Sequence, residues 1–314
     1  MKWFTEDAIM NTYHMTHAIK DVKNTLVSLG NEEIKTDERT VIETGSSNTM
    51  LYMPCVDLKE GYSLIKIISI FPENPQAELP TSQAVSIISE LKTGRHLAAL
   101  SSSYLTRLRT GAITGIATDY LAREDAEVLG VIGTGAMAFE QLLGVLEVRN
   151  IKKILLYNRT AQKATQFAAR LRERGVKADI EVLEDVDSVT KQSDIINCAT
   201  KSETAVFNHQ AVRDGTHING LGSYLPSMRE ITIDTIATAD LIVLDDIEGA
   251  RHEAGEFIEA ESRAVFDWKT AIALYELIAG SIKRERAESI TIFKSVGASY
   301  YDLAVGIGAF KQMS

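Results

Sequence analysis

Residues 127–138 read EVLGVIGTGAMA. The first six, Glu127 to Ile132, are short and rich in valine, isoleucine and leucine, which predicts a buried strand, and a helix is expected from Ala136 to Val148. Between them, Gly133-Thr134-Gly135-Ala136-Met137-Ala138 is a GxGxxA variant of the dinucleotide fingerprint, and the strand before it and the helix after it give the pattern its physical meaning. Gly133 permits a tight turn, Gly135 lets the backbone approach a pyrophosphate, and Ala138 allows close packing of helix on strand. The helix N-terminus then presents free N–H groups and a positive dipole end to the phosphates. The competing reading is a glycine-rich turn that binds nothing.

Downstream the alternation continues as KKILLYN, a helix from Ala161 to Arg174, DIEVL, a short connection, DIINCAT, THINGLG, DLIVLD, a long helix-rich stretch and TIFKSVG. Repeated strand and helix units of this kind predict a parallel sheet with helices on both faces, a Rossmann-type doubly wound α/β fold. The second strand ends at Tyr157-Asn158-Arg159-Thr160, where a cofactor lacking a 2′-phosphate usually meets an acid that accepts from the ribose hydroxyls. No acid stands there. Arg159 can pair with a 2′-phosphate, with Asn158 and Thr160 as hydrogen-bond donors, which favours NADP(H) over NAD(H). A solvated surface arginine is the alternative.

Upstream the texture differs. Thr5, followed by Glu6 and Asp7, reads as a helix cap, and Ile9, Ile19, Val22, Leu26 and Leu29 predict one amphipathic helix up to Gly30. Arg39 to Thr44, Thr49 to Pro54 and Ser63 to Ile70 read as antiparallel strands separated by Gly45-Ser46-Ser47-Asn48 and Lys59-Glu60-Gly61. The segment AVSIISELKTGRHLAALS reads as a hairpin around Gly94. A helical stretch without proline from Ser103 to about Arg123 marks the domain boundary. Three cations stand in or beside apolar elements of this first part: Arg39, Lys66 and Arg109. Lys66, inside Leu64-Ile65-Lys66-Ile67-Ile68, is costly to bury unless it meets an anion or serves catalysis. Converging cations would form a carboxylate clamp. A lysine protecting an exposed sheet edge is the other reading of Lys66.

The 314 residues carry 33 Lys and Arg against 43 Asp and Glu, a net charge of −10, which disfavours nucleic acid or an anionic membrane surface as partner. Cys55 and Cys198, the two cysteines, lack the spacing of a disulfide framework or a zinc site. His14 and His17 lie three apart on the first helix with no third metal ligand in view, so no metal is expected. No run approaches about 18 apolar residues and the start lacks a basic head before an apolar stretch, so a cytoplasmic enzyme without a membrane span is expected. No nucleophile elbow or Walker A pattern is present.

In their order along the chain, Arg39, YMPC at Tyr52 to Cys55, KIISIFPENP from Lys66, LPT at Leu79 to Thr81, LTRLRTGAITGIAT, GTGAMA, YNRT, NGLGSYLPSMREI from Asn219 and KSVGASYYDLAVG resemble the ornithine cyclodeaminase/mu-crystallin family. The resemblance covers nearly the whole chain. It implies a Rossmann-type domain of residues 111–293 and a smaller α+β substrate-binding and dimerisation domain of residues 1–110, rejoined by 294–314, with a homodimer formed through the sheets of the latter. It implies that Arg39, Lys66 and Arg109, with Met53 and Tyr224 beside them, bind a substrate carboxylate, and that Asp302 neighbours the site. It also implies that Ser295, Val296 and Gly297 approach the nicotinamide, while Thr110, Ala199, Thr200, Gly222 and Ser223 join the glycine loop and residues 158–160 at the cofactor.

In the family's ornithine cyclodeaminases the position of Tyr224 resembles an aspartate that engages the distal amine. Tyrosine there, together with NRT at 158–160, looks more like the NADPH-linked ketimine and cyclic-imine reductases. The expected activity is reduction of a C=N bond next to a carboxylate, as in Δ1-pyrroline-2-carboxylate, with Lys66 as general acid or charge partner. The alternatives are an NAD-dependent cyclodeaminase or amino-acid dehydrogenase, alanine dehydrogenase-like or acting on N-substituted amino acids, and a binding protein of the mu-crystallin kind.

Overall fold

The computed structural model describes residues 1–45, 48–280 and 282–314. Ser46 and Ser47, in the expected turn, lie outside the described residues. In chain order the first part comprises β1 (Lys2–Phe4), α1 (Glu6–Thr12), α2 (Met15–Gly30), β2 (Ile34–Thr36), β3 (Thr40–Glu43), β4 (Thr49–Asp57), β5 (Tyr62–Ile70), β6 (Ser82–Glu90), β7 (His96–Ser101) and α3 (Ser103–Leu121). The second comprises β8 (Val128–Ile132), α4 (Ala136–Leu146), β9 (Lys153–Tyr157), α5 (Ala161–Glu173), β10 (Asp179–Val182), α6 (Val186–Gln192), β11 (Ile195–Cys198), β12 (His217–Gly220), α7 (Ile233–Thr238), β13 (Leu241–Leu244), α8 (Ile247–Glu253), α9 (Gly255–Ser262), β14 (Ile272–Ala273), α10 (Leu274–Ile278), β15 (Thr291–Lys294) and finally α11 (Ser299–Met313). Two compact units result, Met1–Ala112 with Ala298–Ser314, and Ile113–Gly297. These limits stand two and four residues beyond the expected 110 and 293.

The first unit is built on a seven-stranded sheet ordered β1-β7-β6-β5-β4-β2, with β3 also pairing β4. All pairs are antiparallel except β1 on β7. Period-2 alternation sends Met53, Cys55, Leu64, Lys66, Ser86, Ile88, Ala98 and Leu100 to one buried face, against which α11 packs, with α2 packed on α11. The opposite face carries Tyr52, Pro54, Ile65, Ile67, Val85 and Ile87, all half-buried. β5 lies between β4 and β6, so Lys66 does not guard an edge. The hairpin at Gly94 forms as expected, with φ of +73° at the glycine.

The opening helix departs from expectation. It is two helices, α1 capped by the Thr5 hydroxyl accepting from the Ala8 N–H, and α2 beginning after His14. Tyr13 at the break is extended and buried, and its hydroxyl donates to Asp21 at 2.7 Å, so a tertiary contact interrupts a pattern that is helical by spacing alone. A short strand, β1, precedes α1 and was not expected.

The second unit is an eight-stranded, wholly parallel sheet in the order β10-β9-β8-β11-β12-β15-β13-β14. Alternate residues feed two cores. Leu129, Val131, Ile154, Leu156 and Ile195 pack with α4 and α5, while Ile132, Leu155, Ile196, Ile218, Leu244 and Ile292 pack with α6, α7, α8 and α9. This is the doubly wound arrangement, with the order reversing between β8 and β11, the place where such sheets open to ligands at the carboxyl ends of their strands. The connection between β10 and β11 contains the helix α6, where only a short link was expected. Among the described residues no helix is long and apolar enough to cross a membrane.

Candidate active site

The glycine loop leaves β8 at the reversal point. Gly133 has φ of +91°, and a Cβ there would stand 2.6 Å from the Ala199 carbonyl oxygen at the end of β11. Gly135 is the N-cap of α4, and a Cβ on it would meet no atom of the chain within 4 Å. Ala138 is fully buried, so its small side chain brings α4 onto the sheet. Thr134 is 8% exposed and its hydroxyl oxygen has no hydrogen-bond partner among the described residues. An approachable backbone, an unused hydroxyl and a helix N-terminus on one loop fit the pyrophosphate of a dinucleotide.

Asn158 proves to be part of the loop's support. Its Oδ1 accepts from the Thr134 N–H at 3.2 Å and its Nδ2 donates to the Thr160 carbonyl at 3.0 Å, so the amide expected to donate to a ligand is already engaged. Arg159 is exposed, and Thr160 caps α5 without a side-chain bond. Ala199 and Thr200 follow β11, and Gly222 and Ser223 follow β12. A Cβ on Gly222 would collide with the backbone of Thr200, which is why this position takes glycine.

Beneath these loops lies a set of buried charges that the sequence reading missed. Glu230, fully buried, accepts from the Thr200 N–H at 2.5 Å and hydroxyl at 2.8 Å, and from the Gly222 N–H at 2.6 Å, so one carboxylate joins two loops. Burial pushes its carboxyl up, against the pull of Lys294 and of these N–H groups. Lys294 Nζ donates to the Ser223 carbonyl and hydroxyl and lies 3.3 Å from Glu256, both charges being fully buried. Lys294 sits inside TIFKSV as Lys66 sits inside LIKII, and its burial is equally costly without an anionic partner.

The first unit gathers the expected cations. Lys66 is 2% exposed, and its Nζ donates to Asp302 Oδ2 at 2.5 Å. Arg109, 8% exposed on α3, places Nε 3.6 Å from Asp302 Oδ1 without a hydrogen-bond partner for that nitrogen among the described residues. Arg39, half-buried just before β3, is close enough to repel Lys66 electrostatically. Met53 lies opposite Lys66 in the β4–β5 ladder. Two buried cations therefore share Asp302, and the excess positive charge calls for an anion. Desolvation lowers the Lys66 pKa to about 8, with Asp302 opposing the shift and Arg109 and Arg39 adding to it. Cys55 is inert, since burial pushes its thiol up to about 12.

Thr110, on α3, donates its hydroxyl to the Thr106 carbonyl at 2.9 Å and belongs to the first unit. Tyr224, half-buried, belongs to the second, and burial raises its phenol. His17 Nδ1 accepts from the His14 N–H at 3.3 Å, which gives this pair a place in the start of α2.

The profile of the ornithine cyclodeaminase/mu-crystallin family matches residues 3–308. The chain belongs to this family. A Bacillus cereus relative named Delta(1)-pyrroline-2-carboxylate reductase is 38% identical over 262 residues, 82% of this chain and 79% of that one. The structure of Thermococcus litoralis Delta(1)-pyrroline-2-carboxylate reductase in complex with NADH and L-proline matches with a TM-score of 0.95 at 33% identity, covering 99% of this chain and 97% of that one. An archaeal alanine dehydrogenase dimer with bound NAD matches with a TM-score of 0.92 at 30% identity, covering 99% and 95%. The family resemblance read from the motifs and the doubly wound fold are thus both borne out.

Proposed function

We propose that this family member is an NADPH-dependent oxidoreductase that reduces a C=N bond next to a carboxylate, a cyclic imine such as Δ1-pyrroline-2-carboxylate. The observation that carries the reading is the buried pair of cations, Lys66 and Arg109, sharing the single carboxylate of Asp302. Arg109, with Arg39, binds the substrate carboxylate, and the family resemblance gives Met53 and Tyr224 to the substrate as well. Lys66, whose pKa near 8 leaves it protonated at neutral pH yet ready to release a proton, protonates the imine nitrogen. Asp302 holds that ammonium in place and keeps it charged. When bound, the nicotinamide supplies the hydride for the imine carbon. Gly133 to Met137 hold its pyrophosphate, Arg159 pairs with the 2′-phosphate, and Thr110, Ala199, Thr200, Gly222, Ser223 and Ser295 to Gly297 line the remainder. Tyr224 offers no carboxylate to a distal amine, which argues against ring closure of a diamino acid.

The relatives named pyrroline-carboxylate reductase support the substrate class, and the neighbour solved as a dimer supports a homodimer. The deciding experiment measures initial rates of NADPH and NADH oxidation with Δ1-pyrroline-2-carboxylate, alongside pyruvate with ammonia. Rapid NADPH-dependent imine reduction that Arg159→Ala converts to NADH preference is expected. Turnover confined to pyruvate, ammonia and NADH would instead establish an alanine dehydrogenase, the reading favoured by the archaeal neighbour.

A further inference from the structure

The turn that leaves β15 is gripped by a side chain that none of the roles above explains. Asp245 directly follows β13 and is 1% exposed. Its Oδ1 accepts from the N–H of Val296 at 3.0 Å and of Asp246 at 2.8 Å. Its Oδ2 accepts from the Ser295 hydroxyl at 2.6 Å and from the Gly297 N–H at 2.8 Å. Three of these four donors belong to consecutive residues, 295 to 297. The backbone reinforces the grip, since the Asp245 N–H donates to the Lys294 carbonyl at 3.0 Å and the Ser295 N–H donates to the Gly220 carbonyl at 3.1 Å. Gly297 takes φ of +87°, a conformation that gives the segment its sharp course.

A buried carboxylate with both oxygens doubly engaged makes charge-assisted bonds, stronger and shorter than those of a neutral acceptor. An amide of the same shape would keep one acceptor oxygen and set an NH2 group against donors, so it would break bonds without leaving a void. The sequence 295–297 has no long side chain of its own with which to lock its conformation.

We propose that Asp245 is a positioning residue that fixes Ser295, Val296 and Gly297 in the conformation that receives the nicotinamide end of the cofactor. The inference rests on the proposed function, which gives that turn to the nicotinamide. Asp245 touches no reacting atom; it acts through the three donors it holds.

The test compares wild type with Asp245→Asn and Ser295→Ala. Dissociation constants are measured by fluorescence titration for the reduced dinucleotide that wild type prefers, and by competition for the fragment lacking the nicotinamide half, 2′,5′-ADP or 5′-AMP. In Asp245→Asn the dinucleotide is expected to bind at least tenfold more weakly, the fragment within twofold of wild type, and kcat to fall at least tenfold. Ser295→Ala, which deletes one donor of the four, shifts the same quantities the same way by less. Unchanged dinucleotide affinity and kcat in folded Asp245→Asn would overturn the proposal, as would equal weakening of dinucleotide and fragment, the mark of a merely structural role. Should Asp245→Asn fail to fold, Ser295→Ala decides alone, and absence of the split there overturns the proposal. A wild type that binds dinucleotide yet reduces no imine sinks the substrate reading, and the affinity split still judges Asp245.

Discussion

At the scale of single residues, the Lys66 and Asp302 pair sets the expected pH behaviour. Lys66 is charged below about 8 and neutral above it. A reaction that takes its proton therefore loses activity as pH rises through 8, with kcat/KM falling about tenfold per unit beyond it. Asp302 raises the Lys66 pKa, so Asp302→Asn should move this alkaline limb to lower pH. Lys66→Met should lower turnover by about 10²- to 10⁴-fold, with NADPH affinity within twofold of wild type. A wild-type profile flat to pH 9.5 would reduce Lys66 to a charge partner. Lys66 was legible in the sequence because a lysine inside an apolar strand is anomalous anywhere. Lys294, inside the apolar strand TIFK, bears the same mark. Glu230 and Asp245 carry no such mark, since an acid after a strand or in a loop is ordinary until the structure shows what donates to it.

Among the elements, α11 shows how tertiary contact selects residues that helix propensity would reject. Gly306 and Gly308 lie inside it. A Cβ on Gly306 would collide with Leu64 on β5, and one on Gly308 would collide with the Asp21 carboxylate and approach the Tyr13 hydroxyl to 2.5 Å. Glycine inside a helix costs about 1 kcal/mol relative to alanine, yet overpacking a buried contact costs about 1–3 kcal/mol. Gly308→Ala is therefore expected to lower the thermal unfolding midpoint even though it favours the helix. A raised midpoint in calorimetry would show that α11 can step away from α2. The same contact explains the break between α1 and α2. The spacing from Ile9 to Leu29 suits one helix, and only the burial of Tyr13 against Asp21 imposes two.

For the molecule as a whole, the first unit's sheet is covered on one face by α11 and carries a half-buried apolar row on the other, Tyr52, Pro54, Ile65, Ile67, Val85 and Ile87. A second copy would bury these residues, at about 25 cal/mol for each Å² of apolar surface removed from water. Ile67→Asp should shift the protein from dimer to monomer in light scattering coupled to gel filtration, while circular dichroism stays unchanged. A wild type that is monomeric at micromolar concentration would refute the homodimer. By itself, the sequence determined what depends on near neighbours: the strand, glycine loop and helix of 127–148, the parallel alternation that follows, the hairpin at Gly94, and Lys66 as an ill-fitting charge. Only the tertiary structure decided that β5 lies inside its sheet, that Lys66 meets a carboxylate 236 residues away, that Glu230 joins two loops and that Asp245 grips the end of β15. Periodicity and turn chemistry act over a few residues, whereas these pairings form between segments distant along the chain, and no local pattern specifies which distant segment will lie alongside.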